Sequence, residues 1–541
     1  MLPTYRTGAH TCPLPRRGYW ALLAGVVAGL AGGCAADGGV ELDLKLPESP
    51  ELSPTQAAIG SVGLVTYVPD QPPRSETRQI SGGATTLSMG RLDVGEGISL
   101  AVEMRAPNQR LVGYGRSPGP IDVAANQMVQ VPVNMRRPFV YVTGGTRLAT
   151  FDSTRDAAGS TDYRSSIPLA NAPSVAAATA DGLDVVVVSD TGNGAELSLV
   201  STSTHEASTA APVALNAAPS DIAISPDSRW AVVGHSGAQG GLSIVDLGAA
   251  RAGQAAVQFV PIGSVGAVVI GAHTSKPRTV ALLDRAPGPG CQTGGAASSV
   301  TTVSLTDAQM GPTFDLGTPV RDLAVSDDGG FVFTADVCSD QIDKLSLDDD
   351  VQPAPLLMVP QPTAVAVFDD RVWVVGTEPP AGNLPWRLML VSARDDGTGE
   401  TRVELPQIQE SARSDDFTGN GQAAEQRMDA DSLEAYDLAV TPGADHLAIL
   451  VWEWFQASEM GSFLGQPIIP AMTLESREYL LVNASTTAIV QRVRTSCDLQ
   501  WESDPFNPPV LDSWSCTQDS GQDVSSEAYN PLHVSILYGS R

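Results

Sequence analysis

An all-β fold is what this chain predicts, and three observations carry the prediction. Short stretches of alternating apolar and polar residues run along most of its 541 residues, the mark of strands with one buried face. Glycine and proline are abundant, at 52 and 40 residues, while charged residues make up only 17%, so turns are plentiful and long charged helices scarce. The stretch DIAISPDSRWAVVG, from Asp221 to Gly234, returns further along as DLAVSDDGGFVFTA, from Asp322 to Ala335. A chain of this length makes roughly two to four domains, or one repeat array with an appendage.

The first structural segment, 34–137, carries the alternation in VELDLKL, SVGLVTYV, TTLSMGRL, ISLAVEMRA, RLVGYG and MVQVPVNM. About seven strands in about a hundred residues suit an Ig-like or transthyretin-like β-sandwich. No metal-ligand or catalytic cluster occurs in it. The RRP triplet from Arg136 to Pro138 reads as a hinge.

Residues 138–541 are organised differently. Inner strands are expected to begin near Val175, Asp221, Val268, Asp322, Ala364 and Asp437. A repeat of roughly 40 to 50 residues, each unit holding up to four short strands, is the sequence mark of a β-propeller. SPDSR and SDDGG separate the first two strands of their units. Asp and Gly there supply turn geometry, so the PD and DD pairs are turn residues rather than acid/base dyads. LHVSILYG, from Leu532 to Gly539, can supply the inner strand of one more unit, completed by FVYVTGG, RLATFD and SSIPLA near the start of the array. Closing the ring from both ends of the chain removes open strand edges. Seven blades is the favoured count, within a range of six to eight. YVTGG at Tyr141 to Gly145 and the D-[IL]-A-[IV]-S-x-D-[SG] hairpins resemble the YVTN-type seven-bladed propellers, with Gly144 in place of the Asn of the namesake motif. The resemblance covers about 400 residues and implies fold rather than activity.

The N-terminus reads as an address. Arg16 and Arg17 precede GYWALLAGVVAGLAGG, an apolar run too short to span a bilayer comfortably. LAGGC resembles the lipobox of bacterial lipoprotein signals, with Leu30 one position further out than usual. The resemblance implies that residues 1–33 are removed and that Cys34 carries acyl chains, which suffice for stable membrane attachment. Ala35 follows the cysteine, which by resemblance to enterobacterial sorting implies the outer membrane of the cell envelope, with the periplasmic or external side left open. PRRGYW also resembles a twin-arginine export signal, with Pro15 where Ser or Thr is usual.

A formal net charge of -29 argues against nucleic acid and anionic headgroups as partners, since both need a cationic footprint. Excess carboxylates keep a protein soluble; calcium is the sharper reading. DDFTGNGQAAEQR has an EF-hand-like spacing with Asp416 at its first position, but Arg427 stands where the bidentate Glu belongs. DTGNGAE at Asp190 is similarly incomplete. His10, His205, His235, His273, His446 and His533 diverge along the repeat, so no metal or haem centre is expected. No G-x-S-x-G, Walker or H-E-x-x-H sequence appears, and no catalytic residues or required cofactor are assigned.

In a four-stranded blade, second-to-third loops and blade-to-blade links emerge on one face, and first-to-second turns on the other. Long insertions at 404–436, 455–477 and 496–530 therefore gather on one face, as long loops of the kind that carry function. With Cys12 lost and Cys34 lipidated, four cysteines remain. Cys291 and Cys338, from adjacent blades on that face, are expected to pair, and Cys497 with Cys516. Asp190, His235, Asp336, Glu378, Trp386, Trp454, Phe455 and Phe463 are the candidate ligand or partner residues of this face.

The leading reading is a lipid-anchored envelope protein whose propeller is a non-enzymatic platform for a protein or glycan. The alternative is a lactonase-like hydrolase with an acidic, cation-assisted site at the propeller mouth, drawing on Asp190, Asp336 and Glu378. A purely structural envelope role is the third.

Overall fold

The computed structural model describes residues 38–49, 51–54, 59–68, 74–79, 86–92, 95–124, 127–144, 147–154, 164–254, 256–271, 278–286, 291, 296–349, 352–381, 386–406, 410–414, 424–428, 432–457, 460–463, 466–469, 472–502, 510–518 and 531–536. Residues 1–33, read above as a signal, and Cys34 lie outside them. The chain is all-β, with one five-residue helix, Leu247–Arg251, among the described residues.

Seven antiparallel sheets of four or five strands succeed one another along the described chain from Phe139 onward. Their innermost strands are Pro531–Ile536 (sheet 1), Pro173–Ala178 (2), Pro219–Ile224 (3), Val265–Val269 (4), Val320–Val325 (5), Pro362–Phe368 (6) and Ser432–Val440 (7). Each neighbours the next, and that of sheet 7 returns to that of sheet 1. This ring of sheets is a β-propeller. In sheet 1 the C-terminal strand pairs with Phe139–Gly144, followed outward by Arg147–Asp152 and Arg164–Pro168.

The sequence repeat has a specific physical cause. Each innermost strand breaks register against its neighbour, as between Pro219 and Asp221 or Val320 and Leu323. A bulge bends the strand and leaves the ladder locally unpaired. Asp221 Oδ2, at the bulge of sheet 3, accepts the Val268 amide of the next sheet at 2.8 Å, and Asp322 Oδ2, at the bulge of sheet 5, accepts the Val365 amide at 3.0 Å. Both carboxylates are buried. The repeated aspartate is therefore a latch between consecutive sheets. The turns that follow are equally local: Asp328 Oδ1 accepts from Ser326 Oγ at 2.6 Å and from the Gly330 amide at 2.9 Å, with Gly329 at φ 73°.

The segment before the propeller forms two sheets. Gly38–Lys45 lies between Thr86–Leu92, antiparallel, and Met128–Asn134, parallel. Against it packs a sheet of Arg74–Gln79, Ser61–Tyr67, Gly95–Arg105 and Leu111–Arg116, with Ile121–Val123 paired at one side. Leu42, Val62, Leu100, Val102 and Val133 share the core between them. Arg74–Gln79 and Ile121–Val123 were not expected as strands; both are short and lack an apolar alternation strong enough to announce them.

This two-sheet unit sits on the first-to-second-turn face of the propeller. Arg105 Nη1 lies 3.3 Å from Asp445 Oδ2 in the turn of sheet 7, and Asn134 Nδ2 donates to the Asp181 carbonyl in the turn of sheet 2. Tyr67 Oη donates to Asp369 in the turn of sheet 6. Leu52, Leu111 and Tyr114 pack with Phe139, Tyr141 and Leu148 of sheet 1. Arg136 to Pro138, read above as a hinge, is instead a buried joint, because both guanidinium groups find partners on each side of it.

One charge in this seam is costly. Asp327, in the turn of sheet 5, accepts the Asp369 amide at 2.9 Å and is pushed up to about 7, chiefly by burial and then by the Asp369 charge, with Arg116 opposing. Tyr67, Tyr114 and Asp328 also act on this pair, as does Glu103 on Asp369. Its folded pKa lies above the unfolded value, so its contribution to stability is complete below pH 4 and is lost as pH rises through 7. Asp327→Asn is expected to be more stable than wild type at pH 8 by about 1–2 kcal/mol, and no more stable at pH 4. Urea unfolding at the two pH values reads this directly; equal differences at both would refute it.

Candidate binding face

The face opposite the two-sheet unit carries the long insertions, and the structure pairs them as strands where loops were expected. Glu410–Ser414 and Ala424–Met428 form a hairpin in the link from sheet 6 to sheet 7. In sheet 7, His446–Ala457 and Met472–Asn483 stay paired as far as Ala457 opposite Met472, and a smaller hairpin, Met460–Phe463 with Gln466–Ile469, lies between them in sequence. Ile489–Glu502 leaves sheet 7 to pair with Val510–Gln518. A hairpin satisfies backbone N–H and C=O groups that a loop would leave to water. The ribbons adjoin: Glu410–Ser414 lies beside Ile489–Glu502 and Gln466–Ile469, and Ala424–Met428 beside His446–Ala457.

The innermost strands place charged groups at the propeller mouth on this same face. Arg321, in the bulge of sheet 5, reaches past sheet 6 to Glu434 on the innermost strand of sheet 7, with Nε 2.9 Å from Oε1. Its Nη1 donates to the Ala286 carbonyl at 2.8 Å, and Arg285 Nε donates to the Arg321 carbonyl. Gly266 makes room for Arg285, since a Cβ there would stand 2.2 Å from the Arg285 Cβ. Beside them, the Arg477 guanidinium lies 4.2 Å from the centre of the Trp452 ring, which meets Tyr436 edge-on at 6.3 Å. Arg285, Arg321 and Glu434 were not singled out in the sequence; a charge inside an otherwise apolar inner strand, as in PVRDLAV and SLEAY, is the signal that could have found Arg321 and Glu434.

The expected contact residues whose side chains are described do not assemble into one site. Asp190 is exposed and caps its own turn, accepting the Gly192 amide at 2.7 Å. His235 is fully buried, 2.8 Å from Ser243 Oγ and 3.3 Å from the Ala218 carbonyl, and burial lowers its pKa; it is a core residue rather than a contact. Glu378 pairs with Arg387. Trp386 packs on the core between sheets 6 and 7. Asp190, Asp336 and Glu378 end the second strands of sheets 2, 5 and 6, one strand removed from the channel, so they do not converge on the mouth. The side chains of Trp454, Phe455 and Phe463 lie outside the described ones, as does the Asp416 loop.

Among the other histidines, His205 is buried against Phe139 and Tyr141, and burial lowers it to about 4. His446 is buried at the start of its strand, while His273 and the side chain of His533 are outside the described residues. Among the described residues no three His, Cys, Asp or Glu side chains converge as metal ligands. Cys291 and Cys338 form the expected disulfide across sheets 4 and 5. Cys497 and Cys516 stand directly opposite each other in the register of their ribbon.

No family model matches the chain, and no curated protein matches it. Among solved structures it is similar to Kuenenia stuttgartiensis hydrazine synthase, at 14% identity and TM-score 0.37, over 52% of this chain and 76% of that one. A functionally unknown protein from Desulfotomaculum acetoxidans matches at 14% identity and TM-score 0.40, over 62% and 98%. The Cps50 (Swd1) β-propeller domain of Myceliophteria thermophila matches at 7% identity and TM-score 0.37, over 65% and 95%.

Proposed function

We propose that this chain is a lipid-anchored envelope protein whose seven-bladed, YVTN-type propeller is a non-enzymatic docking platform for a protein, held off the membrane by an Ig-like or transthyretin-like unit. The observation that carries this reading is the asymmetry of the two faces. One is occupied by the two-sheet unit, and the other bears adjoining β-ribbons. Ribbon strands offer backbone donors and acceptors along their edges, which another chain can extend. Val510–Gln518 is the last strand of its sheet among the described residues. A glycan ligand is the competing occupant of this face.

The direction of the chain suits a tether. Gly38 opens the first strand at the end remote from the propeller, whereas Lys45, at the other end, accepts from the Met135 amide beside the joint. An outer-membrane location and a Cys497–Cys516 bridge belong to the same reading.

The test compares crosslinked partners from intact cells expressing wild type and a variant with residues 458–471 replaced by a short Gly-Ser turn. One protein captured by wild type and lost from the variant is expected. Capture that is unaffected by the replacement, or restricted to polysaccharide, overturns the docking role. Cys34→Ser should move the protein out of the membrane fraction, and unchanged retention overturns the anchor.

A further inference from the structure

The seam between sheets 4 and 5 contains polar groups that no other seam repeats. Phe331–Asp336 and Gln341–Ser346 are the second and third strands of sheet 5. Val332 and Leu345 on one face of this pair pack against Ala267, Val280 and Val300 of sheet 4. Residues two apart on a strand share a face, and residues directly opposite across a ladder do too. Thr334 and Asp336 therefore face sheet 4, together with Asp343, opposite Thr334, and Gln341, opposite Asp336. Thr334 and Asp336 are each 1% exposed and Asp343 8%.

Internal comparison isolates this set. The equivalent positions in sheet 3 are Val233, His235 and Ser243, where the histidine and serine satisfy each other at 2.8 Å. In sheet 7 they are Ile449, Val451 and Leu480, all apolar. None of the other six sheets carries a carboxylate at any of the three positions.

The polar atoms in the seam are only partly used. Asp336 Oδ1 accepts the Cys338 and Ser339 amides at 2.9 and 3.1 Å, and Asp343 Oδ1 accepts Gln341 Nε2 at 2.9 Å. Asp336 Oδ2 and Thr334 Oγ1 are buried without a hydrogen-bond partner. Two buried carboxylates on one face repel, and burial together with Asp336 raises the pKa of Asp343. Such a pair needs either a shared proton or a cation. A shared proton would join Asp336 Oδ2 to Asp343 in a hydrogen bond, and that bond is not made.

We propose that Asp336, Asp343 and Thr334 hold a hard divalent cation of the calcium class in the seam between sheets 4 and 5. All three are oxygen donors, the set preferred by calcium rather than by softer metals, with solvent completing the shell. The Cys291–Cys338 disulfide spans the same seam, so it tethers the segment whose amides orient Asp336. This site is distinct from the ribbon face and does not depend on the docking role.

The test uses the full purified chain, stripped with EDTA and titrated with calcium chloride or magnesium chloride. Calcium at about 10 mM is expected to raise Tm by about 2 °C or more, with a smaller response to magnesium. Asp336→Asn and Asp343→Asn should each abolish the rise. A wild type without a response, or variants that respond as it does, overturns the proposal. If the Asn variants do not fold, calcium titration calorimetry on wild type and Thr334→Val decides: binding that weakens in Thr334→Val supports the site, and absent or unchanged binding overturns it. A metal-independent Tm rise on acidification that Asp343→Asn removes would assign the pair to a shared proton instead.

Discussion

Arg137→Ala is expected to destabilise the folded chain by about 3–5 kcal/mol, the usual cost of removing one partner from a buried ion pair. Arg137 Nη1 lies 2.6 Å from Asp152 Oδ2, with side chains 8% and 0% exposed, and Arg137 Nε donates to the Ser53 carbonyl at 2.9 Å. Deleting the guanidinium takes the cation away from a buried carboxylate that also accepts from the Thr154 amide and hydroxyl. The loss falls at the joint between the two-sheet unit and sheet 1. Arg137→Lys, which keeps the charge but not the fork that serves both acceptors, should cost about half as much. Urea unfolding of both variants checks the ranking; a penalty below about 1 kcal/mol for the alanine variant would show the joint to be solvated in solution.

Cys291→Ser with Cys338→Ser is expected to cost about 4 kcal/mol, the loop-closure value for cysteines 47 residues apart. The bridge joins sheets 4 and 5 through their second-to-third connections. Its removal frees the unfolded chain and loosens the seam that holds Asp336. The same destabilisation should follow reduction of wild type, measured as a fall in the urea midpoint with dithiothreitol. A reduced protein with an unchanged midpoint would contradict it.

The all-β class and the propeller were legible because their signals are local. A strand with one buried face alternates with period 2, and the aspartates at 221 and 322 sit at bulges that recur with the repeat. The Cys291–Cys338 pairing was legible from the same order, since adjacent sheets place second-strand ends side by side. The ribbons were not. Glu410–Ser414 and Ala424–Met428 are mostly polar and show no apolar alternation, and their pairing rests on backbone hydrogen bonds that no side-chain pattern announces.

His235 shows the opposite error. Its position at the end of a strand on the loop-bearing face suggested an exposed contact, yet a single strand position can point into solvent or into the next sheet. Ser243, eight residues away, made the buried choice satisfiable. Arg321 and Glu434 were missed because their meeting requires the ring to close two sheets on, across 113 residues of sequence.

The sequence by itself determined the strand repeat, the turn chemistry and the order of the sheets, all of which depend on residues within a few positions of one another. Tertiary structure alone decided which face the two-sheet unit occupies, through contacts such as Tyr67 with Asp369 and Arg105 with Asp445, 302 and 340 residues apart. It also decided that Asp336 and Asp343 share a buried seam with Thr334. The energy of a buried charge depends on what surrounds it in space, and one-dimensional spacing does not carry that information.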